Sequence, residues 1–362
     1  MAAQALHLTG TVVIDDHHEV GEAWVLGGHL TFTRPLSDVE VTSLSGVFLP
    51  GLVDVHCHVG LGAQGAISRD IARGQAIRDR ESGVLLIRDA GSPSDTRWID
   101  QDPELPQVIR CGHHLARPKR YLRNYGEELG KPEDLARAIV ENLGRADGWN
   151  KIVADWIDRE VGDLTPLWSP EQLKAAMNVA HERGARVTAH TFAHEAIDPL
   201  LAAGLDCIEH GTGMDESQMR RAAAAGVPVT PTLLQIGQFE NIAAQGETKF
   251  PVYAARMRGM YARRYDQARA FFDSGMSLLI GTDAGGTIAH GRIADECAEL
   301  VSAGIPAREV VAFASWRTRA YLGVQGMEEG APADVVGYER DPREDIGALK
   351  EPAHVIVRGT RM

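Results

Sequence analysis

The chain has 362 residues, too many for one small domain and enough for a large α/β barrel, typically about 250 residues, plus an accessory layer. Hydrophobic residues make up 44% and charged residues 24%, an ordinary soluble globular composition, and no apolar stretch approaches the roughly 20 residues a membrane span needs. The formal net charge of −13 argues against nucleic acid or an anionic membrane surface as a partner and leaves a small-molecule substrate as the expected one.

The start, "MAAQALHLTGTVVIDD", lacks the basic region and long apolar core of a secretion signal, so the expected location is cytoplasmic. Residues 1–48 read as short strands and turns, and the tail 326–362, with "ADVVGYERDP" and "AHVIVRGTRM", has the same character. Neither end can make a stable sheet alone, so the two are expected to join as one small β-sandwich built from both termini. Between them, residues 49–325 change texture. Eight short β-like segments follow one another: "GLVDVHCH", "GVLLIRDAG", "PQVIRCG", "WNKIVADW", "ARVTAHT", "LDCIEHG", "VPVTPTL" and "SLLIGTDAG". Helix-like stretches precede seven of them, among them "ISRDIARGQAIRDRES" and "KPEDLARAIVENLGRA". A third, "SPEQLKAAMNVAHERG", carries a capping box from Ser169 to Gln172 and ends at a glycine. Repeated βα units with near-continuous apolar strands imply a parallel sheet, and eight of them suggest a closed (β/α)8 TIM barrel. A homo-oligomer stays open. Cys57, Cys111, Cys207 and Cys297 form no C-x-x-C pair and read as reduced thiols, which argues against cysteine-based zinc.

Residues two apart on a strand share a side, so His56 and His58 face one way and Cys57 the other. That pair alone is equally compatible with two polar residues at a strand terminus. The other segments break the tie. His190 ends the fifth, His210 the sixth and Asp283 the eighth, while Lys151 lies in the fourth. In a barrel these strand ends converge on one face. Imidazole and carboxylate are the usual ligands of zinc and its first-row neighbours.

Together these motifs resemble the amidohydrolase superfamily. "PGLVDVHCH", "HTFAHEAI", "GLDCIEHGT" and "GTDAGG" carry the resemblance, as does "ASWRTRAYLG…EEGAPADVVGYERDPREDI", where such chains leave the barrel. It covers nearly the whole length and implies a metal-dependent hydrolase with a (β/α)8 barrel and a β-sandwich made from both chain ends. The "K-I" pair in "WNKIVADW" is similar to the imidazolonepropionase-like and prolidase-like branch, in which a lysine ending the fourth strand is carboxylated and bridges two metals. On that resemblance His56, His58 and Asp283 hold one divalent ion and His190 and His210 a second, with Lys151 as a carbamate between them. The chemical sense is that an ammonium has no acceptor for a cation, whereas a carbamate is anionic. Zinc is the default, and iron, manganese or cobalt would accept the same ligands. Three features depart from the family: a short N-terminal sandwich half, Trp316 where many members have threonine, and the loop "CGHHLARPKRYLRNYGEELG".

A divalent cation lowers the pKa of bound water from 15.7 towards about 7. Asp283 is then placed to take the proton during attack and return it to the leaving nitrogen. That chemistry hydrolyses an amide, a cyclic amide or a dipeptide-like C–N bond, and equally a lactone or ester. A mononuclear deaminase competes, but its relatives carry glutamate three residues after the fifth-strand histidine, where this chain has Ala193. Glu195 instead begins a helix. A non-catalytic barrel relative would have lost ligands, and none is lost here. His113, His114, Arg117, Lys119, Arg120, Tyr121 and Arg123 form a basic, aromatic cluster past the third strand. It reads either as a substrate clamp, with His114 and Tyr121 as substrate-binding candidates, or as a solvated loop paired with nearby acids. Arg88 and Asp89 are expected to pair beneath the site, and His194 and His290 to line its mouth.

Overall fold

A computed structural model describes residues 4–35 and 39–362. Residues 1–3 and 36–38, at the beginning and within the N-terminal segment assigned to the sandwich, lie outside the described residues. Strands Gln4–Val13, Glu19–Leu26, His29–Thr31 and Glu40–Pro50 join Val335–Tyr338, His354–Val357 and Thr360–Arg361 in one seven-stranded sheet. The two chain ends meet where Glu40–Pro50 pairs antiparallel with Val335–Tyr338. Alternating apolar residues give this sheet its own core, in which Leu8, Val12, Phe48, Val335 and Ile356 are fully buried. Gly10 permits the close approach of neighbouring strands: at φ +119° a Cβ there would lie 2.3 Å from the Gly46 carbonyl oxygen. Trp316, the departure from the family pattern, donates from Nε1 to Asp16 Oδ1 at 3.0 Å and so ties the last helix to this sheet.

The middle of the chain is α/β. Leu52–Cys57 pairs parallel with Val84–Asp89, which pairs with Gln107–Arg110. His114–Ala116 continues that third segment and pairs parallel with Trp149–Val153, followed by Arg186–Thr191, Cys207–His210 and Val229–Thr230. Val229 then bridges Leu278, and Ala284 bridges Cys57, both in the parallel sense. The pairing series thus returns to its first strand. Helices Arg69–Glu81, Leu135–Asn142, Pro170–His181, His194–Ala203 and Glu216–Ala224 separate the strands. Ser169 and Gln172 make both bonds of a capping box, at 3.3 and 2.9 Å. Among the described residues no helix is long and apolar enough to cross a membrane.

Two local expectations differ from what is observed. The third segment follows only the short 3-10 turn Arg97–Gln101, in the stretch between Pro93 and Pro103. The eighth makes isolated bridges rather than a ladder. Within it Thr282 N and Thr282 Oγ1 donate to the Asp54 carboxylate at 3.2 and 2.6 Å. Gly281 packs so closely on the first strand that a Cβ would lie 2.5 Å from His56 Cβ.

Candidate active site

Local backbone irregularities aim the site residues. Val53 and Val55 join Leu86, Cys111, Trp149, Cys207 and Leu279 in a cluster drawn from six of the eight segments, the interior floor. The pleat alone would turn His56 away from that interior, but the register slips between Asp54 and Cys57. Such a bulge re-aims the next side chain. His210 has the same problem, because Glu209 holds the inward parity beside Cys207. A left-handed φ of +64° at His210 brings its imidazole back inside, and Asp283 uses φ +57°. Non-glycine residues held in this region concentrate at functional sites.

His56, His58, His190, His210 and Asp283 meet at the C-terminal ends of the parallel strands. His58 Nε2 lies 3.0 Å and His56 Nε2 3.3 Å from Asp283 Oδ1, and His210 Nε2 lies 3.0 Å from His190 Nδ1. Ligand atoms of His56, His210 and Asp283 all fall within 4.8 Å of one another. Two of the outer nitrogens are engaged. His58 Nδ1 donates to the Gly91 carbonyl at 2.7 Å. Thr232 Oγ1 donates to Pro231 O, so it accepts from His210 Nδ1 at 2.6 Å. His58 and His210 therefore turn Nε2 to the centre, the arrangement that fixes the tautomer of a metal-binding histidine.

The electrostatics fit a cation. Burial holds His56, His190 and His210 well below the usual imidazole pKa, helped for His56 by the adjacent Lys151 and for His190 by His210. They present neutral rings with lone pairs. Burial pushes the Asp283 carboxyl up, but His56, His58 and His210 outweigh it and hold it well below the ordinary range, as a carboxylate. His58 Nδ1 is spent on Gly91 O, so between His58 Nε2 and the Asp283 carboxylate, 3.0 Å apart, stands a proton or a cation. His56 Nδ1, His190 Nε2 and Lys151 Nζ are buried with no hydrogen-bond partner. Orphans of this kind cost roughly 1–3 kcal/mol each unless something binds them. The donor set fits divalent metal ions.

Lys151 is fully buried, aligned with Thr188 on one side and His114 on the other, and burial lowers its pKa to about 7. Its Nζ contacts Glu209 Oε2 without hydrogen-bond geometry. Glu209, absent from the sequence reading, is also fully buried. It accepts from Thr188 Oγ1 at 2.7 Å and lies 3.6 Å from Arg88 Nη2 and 3.7 Å from His56 Nδ1. Counting every second residue back from Glu209 to Cys207 would have put it inside. The adjacent histidine drew the assignment instead.

Above these groups opens a cavity of about 310 Å³, with His58, His190 and Asp283 among its lining and Tyr121, Tyr125, Trp156 and Phe192 as aromatic walls. Tyr121 faces this space. His114 does not: it is fully buried behind Tyr121, its ring 5.0 Å from that of His58, with Nδ1 donating to Tyr125 O at 3.1 Å and Nε2 unpartnered. The Arg88–Asp89 pair is not formed. Adjacent strand residues point to opposite faces, so Arg88 turns inward onto Val55 O, Trp149 and Glu209, while Asp89 accepts from Val59 N and Gly91 N outside. His290 and His194 do not line the cavity mouth. His290 is buried against Asp79 at 2.7 Å, and His194 caps onto Gly213 O near the surface.

A profile of the amidohydrolase family matches residues 47–362. The chain belongs to the amidohydrolase family. Members bind divalent metals, and this amidohydrolase is a hydrolase acting on carbon–nitrogen bonds. It is 45% identical over 357 residues to an uncharacterized protein of Mycobacterium tuberculosis, covering 99% of this chain and 95% of that one. An ochratoxinase of Aspergillus niger is 23% identical over 370 residues, covering 88% and 76% of the two chains. Among solved structures, a Xaa-Pro dipeptidase with bound methionine superposes with TM-score 0.83 at 21% identity, over 100% of both chains. That likeness speaks for the fold.

Proposed function

We propose that this amidohydrolase cleaves an amide, cyclic amide or dipeptide-like C–N bond in a two-metal site at the mouth of a (β/α)8 barrel. The barrel spans about residues 49–325, and residues 1–48 and 326–362 fold together as its β-sandwich. The closed parallel pairing series and the separate core of the seven-stranded sheet support that division. His56, His58 and Asp283 would hold one divalent ion, His190 and His210 the other, with Lys151 between them as a carbamate. Zinc is the first choice of metal. The observation that carries this reading is the crowding of buried imidazole nitrogens and one carboxylate on a single centre, with His58 and His56 Nε2 3.0 and 3.3 Å from Asp283 Oδ1 and His210 Nε2 3.0 Å from His190 Nδ1, and with three of the rings held neutral by burial.

Bound there, divalent ions would acidify water and polarise a carbonyl oxygen. The protein's own groups do the rest. Asp283, held as a carboxylate, accepts a proton from the attacking water and delivers it to the leaving nitrogen as the C–N bond breaks. Gly91 O and Thr232 Oγ1 keep His58 and His210 in one tautomer. Tyr121, Trp156 and Phe192 keep bulk water from the substrate, and His114 buttresses Tyr121 from behind.

A second reading is favoured by one contact. If Lys151 stays an ammonium paired with Glu209, only one ion binds, on His56, His210 and Asp283. A deaminase is disfavoured: Ala193 N is engaged by Asp155 at 3.0 Å, and Glu195 is held by Arg256 in two bonds of 3.0 and 3.1 Å. The test is chelation of the purified protein followed by metal return, assayed against dipeptides, N-acyl amino acids, cyclic amides and lactones. Loss and recovery of C–N cleavage is expected, and full turnover by metal-free protein would overturn the proposal.

A further inference from the structure

The loop after the third strand holds four cationic side chains, and the structure separates their roles. Arg120 is spent on architecture. Its guanidinium donates to Asp158 Oδ2 at 3.1 Å, Trp156 O at 3.0 Å, Thr165 O at 3.0 Å and Thr165 Oγ1 at 2.6 Å, which pins the loop to the Asp155–Pro166 hairpin. Arg117 and Lys119 do not line the cavity. Arg123 does, and it is the one lysine or arginine in that lining. Among the described residues it makes no ion pair and no hydrogen bond.

Its position is built. Tyr125 N closes a turn on Leu122 O at 3.4 Å, and Asn124 takes φ +64°. Tyr121 and Tyr125 flank the turn inside the cavity, and Tyr121 packs edge-on to Trp156 at 4.9 Å. Across the opening, Gly286 has no side chain because a Cβ there would lie 2.7 Å from Tyr125 Oη. Arg123, itself exposed, is thus the one guanidinium lining an aromatic-walled cavity whose carboxylate, Asp283, is already committed to the reaction centre.

We infer that Arg123 reads a free carboxylate, and that the substrate is an acyl-amino acid or dipeptide-like amide carrying that carboxylate together with an aromatic or bulky apolar group. The inference rests on the proposed amide hydrolysis and adds the substrate class and the residue that selects it. A guanidinium binds a carboxylate through two parallel N–H···O bonds, a geometry that a neutral carboxamide cannot match. Tyr121, Trp156 and Phe192 give a flat apolar group its contact area. In the reaction, water oxygen bonds to the acyl carbon, the C–N bond breaks, and the nitrogen takes the proton. The carboxylate on Arg123 is unchanged throughout.

The experiment compares N-benzoyl aromatic amino acids with their primary carboxamides, using metal-replete wild-type protein and Arg123→Gln. Charge-assisted hydrogen bonds to carboxylate correspond to a preference on the order of tenfold or more. The acids should be favoured by that ratio in kcat/KM, mainly through KM, and Arg123→Gln should bring the ratio towards one. Equal cleavage of acids and carboxamides by wild type, or a ratio untouched by Arg123→Gln, overturns the inference while leaving amide hydrolysis standing. A second arm measures calorimetric binding of N-benzyl amino acids, in which a CH2 replaces the scissile carbonyl. Acid-selective binding lost in Arg123→Gln supports the assignment even if no benzoyl amide is turned over. Binding indifferent to the carboxylate sinks it.

Discussion

Lys151 Nζ lies against Glu209 Oε2, and neither side chain exposes any surface. Glu209 also faces Arg88 and His56 Nδ1, so one buried carboxylate lies between Arg88 and Lys151 directly beneath the histidines. Removing one member of a buried charge network leaves the others uncompensated. Glu209→Gln is therefore expected to lower the unfolding free energy by about 3–5 kcal/mol in urea titrations and to weaken metal retention. A loss under about 1 kcal/mol with unchanged metal content would show that Arg88 and Lys151 are balanced elsewhere.

The same contact separates two metals from one. If Lys151 is a bridging carbamate, Lys151→Ala should reduce bound metal from two ions per chain to one and remove nearly all turnover, while circular dichroism stays native. Elemental analysis reads the first outcome directly. Wild-type protein that saturates with a single ion would establish Lys151 as the ammonium partner of Glu209. Labelled bicarbonate should give a carbamate carbon resonance in the two-metal case and none in the other.

His290 supplies a pH test at a residue outside the proposed ligand set. Burial lowers its pKa, but Asp79 at 2.7 Å, with Asp54 and Asp89 nearby, outweighs burial and raises it above the ordinary 6.5. A histidine whose folded pKa exceeds its unfolded one stabilises fully below the unfolded value, and that contribution is lost as pH rises through the folded value. His290→Gln should thus destabilise the protein more at about pH 6 than at about pH 9. Urea midpoints across that range check the sign, and a deficit that grows with pH would refute it.

With Ala193 in the position expected for a deaminase acid and Glu195 bound to Arg256, aminated purines and pyrimidines should release no ammonia. A coupled ammonia assay on metal-replete protein measures this. Efficient release from any of them would reverse the ranking of hydrolase over deaminase.

Much of the site was readable from spacing. His56, His58, His190, His210, Asp283 and Lys151 each lie in or at the end of a short apolar segment, and strand ends converge in any parallel βα array. Period-two counting separated Cys57 from the histidines, and Cys57 packs with the outer core around Ala72 and Ala76. The same counting argues against the expected Arg88–Asp89 pair, because neighbours on a strand cannot share a face.

The family, the alternation of strands and helices and the identity of the candidate ligands rest on residue type and local periodicity, and are legible without coordinates. How neighbours such as Glu209 and His210 both reach the interior emerges only in three dimensions, because it depends on a single left-handed φ. The tertiary structure also decided that Arg120 is bound in place while Arg123 faces the cavity, two arginines alike in sequence. The difference is the hairpin that packs against Arg120 from Trp156 to Thr165, a partner some forty residues away whose position local pattern does not encode.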